Sequence, residues 1–273
     1  MLLASFFSTA GMDEQPGNYF FNTPHLIYLL FNIVLFIVLW KILKSRTKRT
    51  QDIIITAFLI LILVLKYAGD ILFIYEYYNV IPHVSSYPHA FWDVDTFISF
   101  QMCGVTNILL PLTIWFKLKG LREFVFLSSI LGGIAVILYP VTVLYGHPYV
   151  LTLPIIRSTF VHFFLLFIPI FLINRGDFKP NPKHWWHIAL GIFFLTMWAT
   201  FGNLVIDKGN NNLYLMDNPF FGGPIPLLNQ VSNGWHILLM LALITIGYSL
   251  IYILTSLIAP GGFKKFISKF KKA

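Results

Sequence analysis

The chain alternates between long apolar runs and short polar connections. The runs cover about 26–43, 53–75, 96–116, 124–145, 155–173, 186–206 and 235–258. Each is close to the roughly 20 residues that an α-helix needs to cross a bilayer core. The pattern predicts an all-α membrane protein, a bundle of seven transmembrane helices. Residues 1–25 read as an extracytoplasmic N-terminal segment, 26–258 as the transmembrane domain and 259–273 as a basic cytoplasmic tail. Neither an internal repeat nor a soluble domain stands out. The start MLLASFFSTAGM lacks a basic n-region and is not read as a cleaved signal peptide.

Charge supplies the orientation. Sixteen of the nineteen Lys and Arg fall in the first, third and fifth connections and the C-terminal tail. In a seven-span arrangement all four lie on one side, and the opposite connections hold only Lys208. The positive-inside rule then puts the N-terminus outside and the C-terminus in the cytoplasm. Six or eight spans would break this alternation. The net charge of +8 is accounted for by orientation and by attraction to anionic inner-leaflet lipid, so nucleic acid is not an expected partner. The tail GGFKKFISKFKKA can lie as an amphipathic helix on that surface or serve only as a topology signal.

Composition agrees: 57% of residues are hydrophobic and 11% charged, against about a quarter charged in a soluble domain. A single cysteine excludes an internal disulfide. The eight histidines are scattered, with no metal-binding spacing, and no cofactor is expected. His83, His89 and His147 read as surface residues of outer loops. Pro111, Pro140 and Pro169 fall inside spans and can kink them around a cavity.

Polar residues inside a bilayer are costly, so those within the spans call for a reason. Gln101, Cys103 and Asn107 lie on span 3, Arg157 and His162 on span 5, Lys66 and Asp70 on span 2, and Asn203 on span 6. Spans 3 and 5 run in the same direction. Cys103 and His162 each sit about eight residues in, which is about 12 Å deep at 1.5 Å per residue. Cys103 with Asn107, and Lys66 with Asp70, share helix faces at i, i+4. One reading is interhelical glue, worth about 1 kcal/mol per hydrogen bond, with an inert packed cysteine. The other is chemistry. A thiolate is a strong nucleophile and a good leaving group, and an imidazole can take its proton. Gln101, Asn107 or Arg157 can stabilise an oxyanion, and Asp70 can orient the imidazole or pair with Lys66. The long outer segments 76–95 and 207–234 can be ordered against the bundle.

The segments FQMCGVTNILLPL, RSTFVHFFLLFIPIFLI and NNNLYLMDNP resemble the YwaF-like bacterial integral membrane proteins. More distantly they resemble a eukaryotic multi-pass membrane acyltransferase family. The resemblance runs from about span 2 to span 7. It implies that a Cys and a His move a fatty acyl chain from a phospholipid to a lysolipid, with Cys103 acylated and His162 as its base. It also implies that Asn212, Tyr214 and Asp217 belong to an outer-loop pattern that can cap the site, although Asn and Asp equally suit turns. The chain departs from the bacterial pattern at Gln101, where many members have a His two residues before the Cys.

The expectation is an acyltransferase of the bacterial cytoplasmic membrane, acting on membrane phospholipids with a lysolipid or lipoprotein acceptor. Two alternatives stand beside it. One is a small-solute transporter or permease subunit using Lys66, Asp70 and Arg157. The other is a non-catalytic receptor or assembly factor.

Overall fold

The computed structural model describes residues 20–79, 98–140, 143, 152–206 and 211–263. The histidines at 83, 89 and 147, most of the 76–95 segment and the lysines of the tail lie outside the described residues. Every regular element among those described is helical. The main helices are α1 (Thr23–Lys44), α2 (Lys48–Asn79), α3 (Met102–Trp115), α4 (Lys119–Leu138), α5 (Leu153–Arg175), α6 (Trp185–Phe201) and α7 (His236–Ile258). All but α3 include a stretch long and apolar enough to cross a membrane.

Local chemistry sets several ends. Asn22 caps α1 by accepting from the His25 amide at 3.2 Å, and Pro24 fills the first turn. Lys41 and Lys44 occupy the last turn, where the helix dipole favours cations. The α1–α2 turn is tied by Gln51, whose amide donates to the carbonyls of Leu43 (3.0 Å) and Arg46 (3.1 Å).

Two expected boundaries move. The fourth span runs from Lys119 to Leu138 rather than 124–145. The residue before a proline avoids helical geometry, so the helix stops ahead of Pro140 instead of containing it; Pro111 and Pro169 do lie inside helices. The third span starts at Met102, not at 96, and its 14-residue helix is about 21 Å long. Gln101 is extended, at φ −81° and ψ 148°. The cause is tertiary. Phe100 is 1% exposed and its ring lies 4.8 Å from that of Trp198. It also fills the notch at Gly202, where a Cβ would fall 2.6 Å from the ring. Irregular backbone at membrane depth is tolerated where protein buries it.

The chain forms two compact units, Met1–Ser99 with Gly132–Phe167 and Phe100–Leu131 with Ile168–Ala273. In the first, Tyr28, Ile137, Val143 and Ile155 form a buried cluster. Phe36 packs edge-on against Phe163 and Phe167, Phe58 stacks on Phe164, and the His25 ring bonds the Ile137 carbonyl at 3.2 Å. In the second, Phe124 fills the notch at Gly191 and Leu131 packs on Gly247. Ser128 and Tyr248 share a 2.6 Å hydrogen bond. The buried Glu123 accepts from the Asn181 amide (2.6 Å) and the Tyr252 hydroxyl (3.1 Å). Outward apolar side chains such as Leu26, Ile33, Ile37, Leu241 and Leu250 are exposed, as expected where the solvent is lipid.

Candidate functional site

The second unit holds the cysteine. Cys103 is the second residue of α3 and is half-buried. The amides of a helix's first turn have no intrahelical acceptor, and Gln101 makes no side-chain cap. Its Oε1 accepts instead from the Leu213 amide at 3.0 Å. The thiol therefore sits among uncapped amides at the positive end of a helix dipole. One turn on, Asn107 is 7% exposed and its Oδ1 has no hydrogen-bond partner. Helical side chains lean toward the N-terminus, so this amide leans toward the Cys103 end of α3.

The outer loop is pinned next to this helix end. After Phe201, α6 passes into a π-turn over Gly202–Ile206, a distortion frequent at functional sites. It carries Asn203, which is 2% exposed. Asn203 clasps the loop twice: Oδ1 accepts from the Asn212 amide at 2.8 Å and Nδ2 donates to the Asn212 carbonyl at 3.2 Å. His236, the first residue of α7, completes the clamp. Its Nδ1 accepts from the Gly234 amide (3.0 Å), so Nε2 carries the proton it donates to the Tyr214 carbonyl (3.1 Å). Leu213 and Tyr214 both have left-handed φ, 53° and 56°, a conformation that costs about 1–3 kcal/mol per non-glycine residue and persists only when its surroundings impose it. Burial pushes the Tyr214 hydroxyl above its ordinary pKa, and Cys103 is close enough to add to the shift.

Asn212 and Tyr214 thus belong to the segment held beside the cysteine, and Gln101 and Asn203 hold it. Asp217 serves the turn instead. It is exposed, accepts from Asn233 at 2.5 Å, and lends its amide and carbonyl to Asn211 at 3.2 and 3.0 Å. The sequence reading missed His236; its only signal was a histidine at the start of an apolar run.

The first unit holds the histidine. His162 lies nine residues beyond Leu153, the start of α5, so its offset no longer matches that of Cys103 within its helix. Its Nδ1 donates to the Ser158 carbonyl at 2.8 Å, with the Ser158 hydroxyl at 3.2 Å. That bond fixes the neutral tautomer and leaves the Nε2 lone pair as a base. Gly133 of α4 packs directly on this turn, where a Cβ would fall 2.8 Å from the His162 carbonyl oxygen. In the same unit Lys66 and Asp70 form the expected i, i+4 pair at 2.9 Å. Arg157 lays its guanidinium on Gly69, between them in sequence.

The sequence model of the TMEM164 family matches residues 20–255, which takes in α1 through all but the last turn of α7. The chain belongs to the TMEM164 family. No curated protein matches it, and no solved structure does. As a TMEM164-family protein it is a multi-pass helical membrane protein. The family match includes α3 with Cys103, α5 with His162, and the clamped Asn212–Tyr214 turn.

The Asn203 clamp has a direct test. Asn203→Leu removes both bonds to Asn212 and leaves buried backbone groups unpaired, at about 1–3 kcal/mol each. Limited proteolysis of the protein in detergent should then cut within 211–217 at least tenfold faster than in the wild type, while the helices stay protected.

Proposed function

We propose that this protein is a membrane-embedded acyltransferase. It takes a fatty acyl chain from a phospholipid onto Cys103 as a thioester and passes it to a lysolipid or lipoprotein acceptor. The observation that carries this reading is the position of Cys103 in the uncapped first turn of α3, with the unsatisfied Asn107 amide one turn on. Unpaired buried polar atoms are where a ligand's polar groups are expected to bind. The buried Asn212 Nδ2, also without a partner, adds a donor on the clamped loop.

The chemistry runs in two half-reactions. An imidazole takes the thiol proton and the thiolate attacks the ester carbonyl. The ester C–O bond breaks, and the proton goes to the departing lysolipid oxygen. An acceptor hydroxyl or amine then attacks the thioester, its proton passes to the imidazole, and the thiolate leaves. First-turn amides suit the role of stabilising the oxyanion in both steps. His162 as the base follows from the resemblance to the Cys/His acyltransferases, and the Nδ1 bond to the Ser158 carbonyl leaves Nε2 as the nitrogen that would take the proton. The likeness to the YwaF-like proteins supports a bacterial cytoplasmic membrane. The clustering of basic residues at the ends of α1, α3, α5 and α7 supports an external N-terminus and a cytoplasmic C-terminus.

The test is incubation of the purified protein with a phospholipid bearing an alkyne-tagged acyl chain, followed by mass spectrometry of the Cys103 peptide. The reading expects a tag on Cys103 that neutral hydroxylamine removes. His162→Gln should slow formation of that adduct by about 10²–10⁴-fold, the usual range for loss of a general base. A variant that acylates Cys103 at the wild-type rate would remove His162 from the mechanism.

A further inference from the structure

We propose that the loop 218–235 is a membrane anchor. It seats Phe221, Leu227 and Trp235 in the headgroup–acyl boundary of the leaflet on its side of the bilayer. The anchor lies within the second unit and goes beyond the acyltransferase reading, on which it does not rest.

For a loop in water, this one is built inside out. Over 218–235 the sequence holds no Asp, Glu, Lys, Arg or His. Asn218 is 5% exposed, whereas Phe221, Leu227 and Trp235 are 73%, 76% and 69% exposed. Asn218 is the hub. Its Nδ2 donates to the carbonyls of Leu228 (2.9 Å) and Val231 (2.8 Å), and its Oδ1 accepts from the Phe220 amide at 2.9 Å. Its own amide donates to Asn233 Oδ1 at 3.0 Å, and its carbonyl accepts from the Phe221 amide at 3.2 Å. Each of the three exposed side chains is therefore at most two residues along the chain from a bond to Asn218. Leu227 is also held at φ 70°, a conformation that a non-glycine residue keeps only where its surroundings impose it. Large apolar groups displayed together on a surface mark a contact with protein or membrane.

Continuity with α7 selects the membrane. Trp235 caps that helix with helical dihedrals, φ −70° and ψ −24°, so it starts an i, i+3, i+6 ridge with Leu238 and Leu241. Both leucines are exposed, on a helix long and apolar enough to cross a bilayer. Trp235 therefore continues the lipid-facing surface of α7, and the Asn218 hub holds Phe221 and Leu227 near it. A tryptophan at the end of a span ordinarily sits at headgroup level, its ring in the apolar layer and its N–H toward water. A loop without ionised side chains reaches that depth without burying a charge. Asn233 also donates to Asp217 at 2.5 Å, and His236 to the Tyr214 carbonyl at 3.1 Å. The anchored stretch is thus bonded to the clamped turn beside Cys103.

The test measures depth in the full-length protein. Nitroxide labels are placed on Phe221→Cys or Leu227→Cys in a Cys103→Ala background, one copy per phosphatidylglycerol nanodisc. Leu241→Cys supplies the lipid reference and Arg49→Cys the aqueous one, both at exposed positions. Accessibility to oxygen and to a polar nickel chelate is read by electron paramagnetic resonance. Hydrocarbon takes up oxygen and excludes the chelate, so labels at 221 and 227 should give an oxygen-to-nickel ratio at least about fivefold above that at 49. A ratio equal to that at 49 would put the loop in water and overturn the anchor. Low access to both reagents would mean that protein covers the patch, with the same consequence. Labels reached by nickel in single-copy discs but shielded in discs holding two would assign the patch to a second copy instead. If the labelled variants do not fold, wild type is irradiated with a phospholipid bearing a diazirine at the top of its acyl chain. Cross-links within 218–235 are expected, and labelled α7 beside an unlabelled 218–235 would sink the proposal. The nitroxides report depth with Cys103 removed, so neither result bears on acyl transfer.

Discussion

Cys103→Ala should form no hydroxylamine-sensitive acyl adduct and lose more than about a thousandfold in lipid acylation, the scale on which removal of a catalytic nucleophile is felt. Cys103→Ser should be nearly as inactive. A serine hydroxyl holds its proton far more tightly than a thiol, so at the same position it yields far less anionic nucleophile. Neither change should disturb the fold. Position 103 is half-buried at a helix start, and the clasp of Asn203 on Asn212 and of Gln101 on Leu213 runs through other side chains. Both variants should therefore keep the wild-type thermal midpoint within a few degrees and the wild-type proteolysis pattern around 211–217. The comparison is made in membranes from cells lacking the wild-type protein, by following transfer of a labelled acyl chain between lipids and to lipoproteins. Undiminished transfer by Cys103→Ala would end the thioester mechanism. Transfer lost together with a collapsed midpoint would mean that the residue acts in folding.

What the sequence made legible was local. Apolar runs of bilayer length revealed the helices, because a membrane leaves a spanning chain few alternatives to internal hydrogen bonding. The i, i+4 spacing of Lys66 and Asp70 revealed their pair, because a helix holds such residues together whatever surrounds it. What it hid was tertiary. The apolar run continues smoothly through Phe97–Phe100, yet the third helix begins at Met102 because Phe100 is drawn into the Gly202 notch. Gln101 looked like a possible oxyanion donor on a helix face and is instead the residue that tethers Leu213. Arg157 read as a possible oxyanion stabiliser or as part of a solute site with Lys66 and Asp70, and only the notch at Gly69 shows where its guanidinium lies. Asn203 and Asn212 were picked out separately, one as a buried polar residue and one from a loop motif. Nothing in their spacing says that the first clasps the second.

Gly133→Ala should be among the most damaging single-methyl changes in the chain. Its added Cβ would fall 2.8 Å from the His162 carbonyl oxygen, 2.9 Å from Leu166 Cβ and 3.0 Å from the Leu166 amide nitrogen. Two of these are backbone atoms of α5, and the third is fixed to that backbone. No rotamer change relieves the contact, so α4 and α5 must separate at the turn that carries His162. Overpacking of this kind costs about 1–3 kcal/mol, offset by at most about 1 kcal/mol of helix propensity gained over glycine. Gly191→Ala makes a closer contact, 2.3 Å from the Phe124 ring, but a ring can swing aside, so its cost should be smaller. Gly120→Ala meets nothing within 4 Å and should be neutral or slightly stabilising. Thermal unfolding of the three variants in one detergent tests the order directly, with Gly133→Ala lowest, Gly191→Ala between and Gly120→Ala at or above wild type. A Gly133→Ala protein as stable as wild type would mean that α4 and α5 are not in backbone contact there. The same variant should also slow acylation of Cys103 if His162 is its base, because the shift falls on the turn that sets the His162 ring. Slowed acylation from Gly133→Ala with full activity in His162→Gln would separate a general loosening of α5 from a role for the imidazole itself.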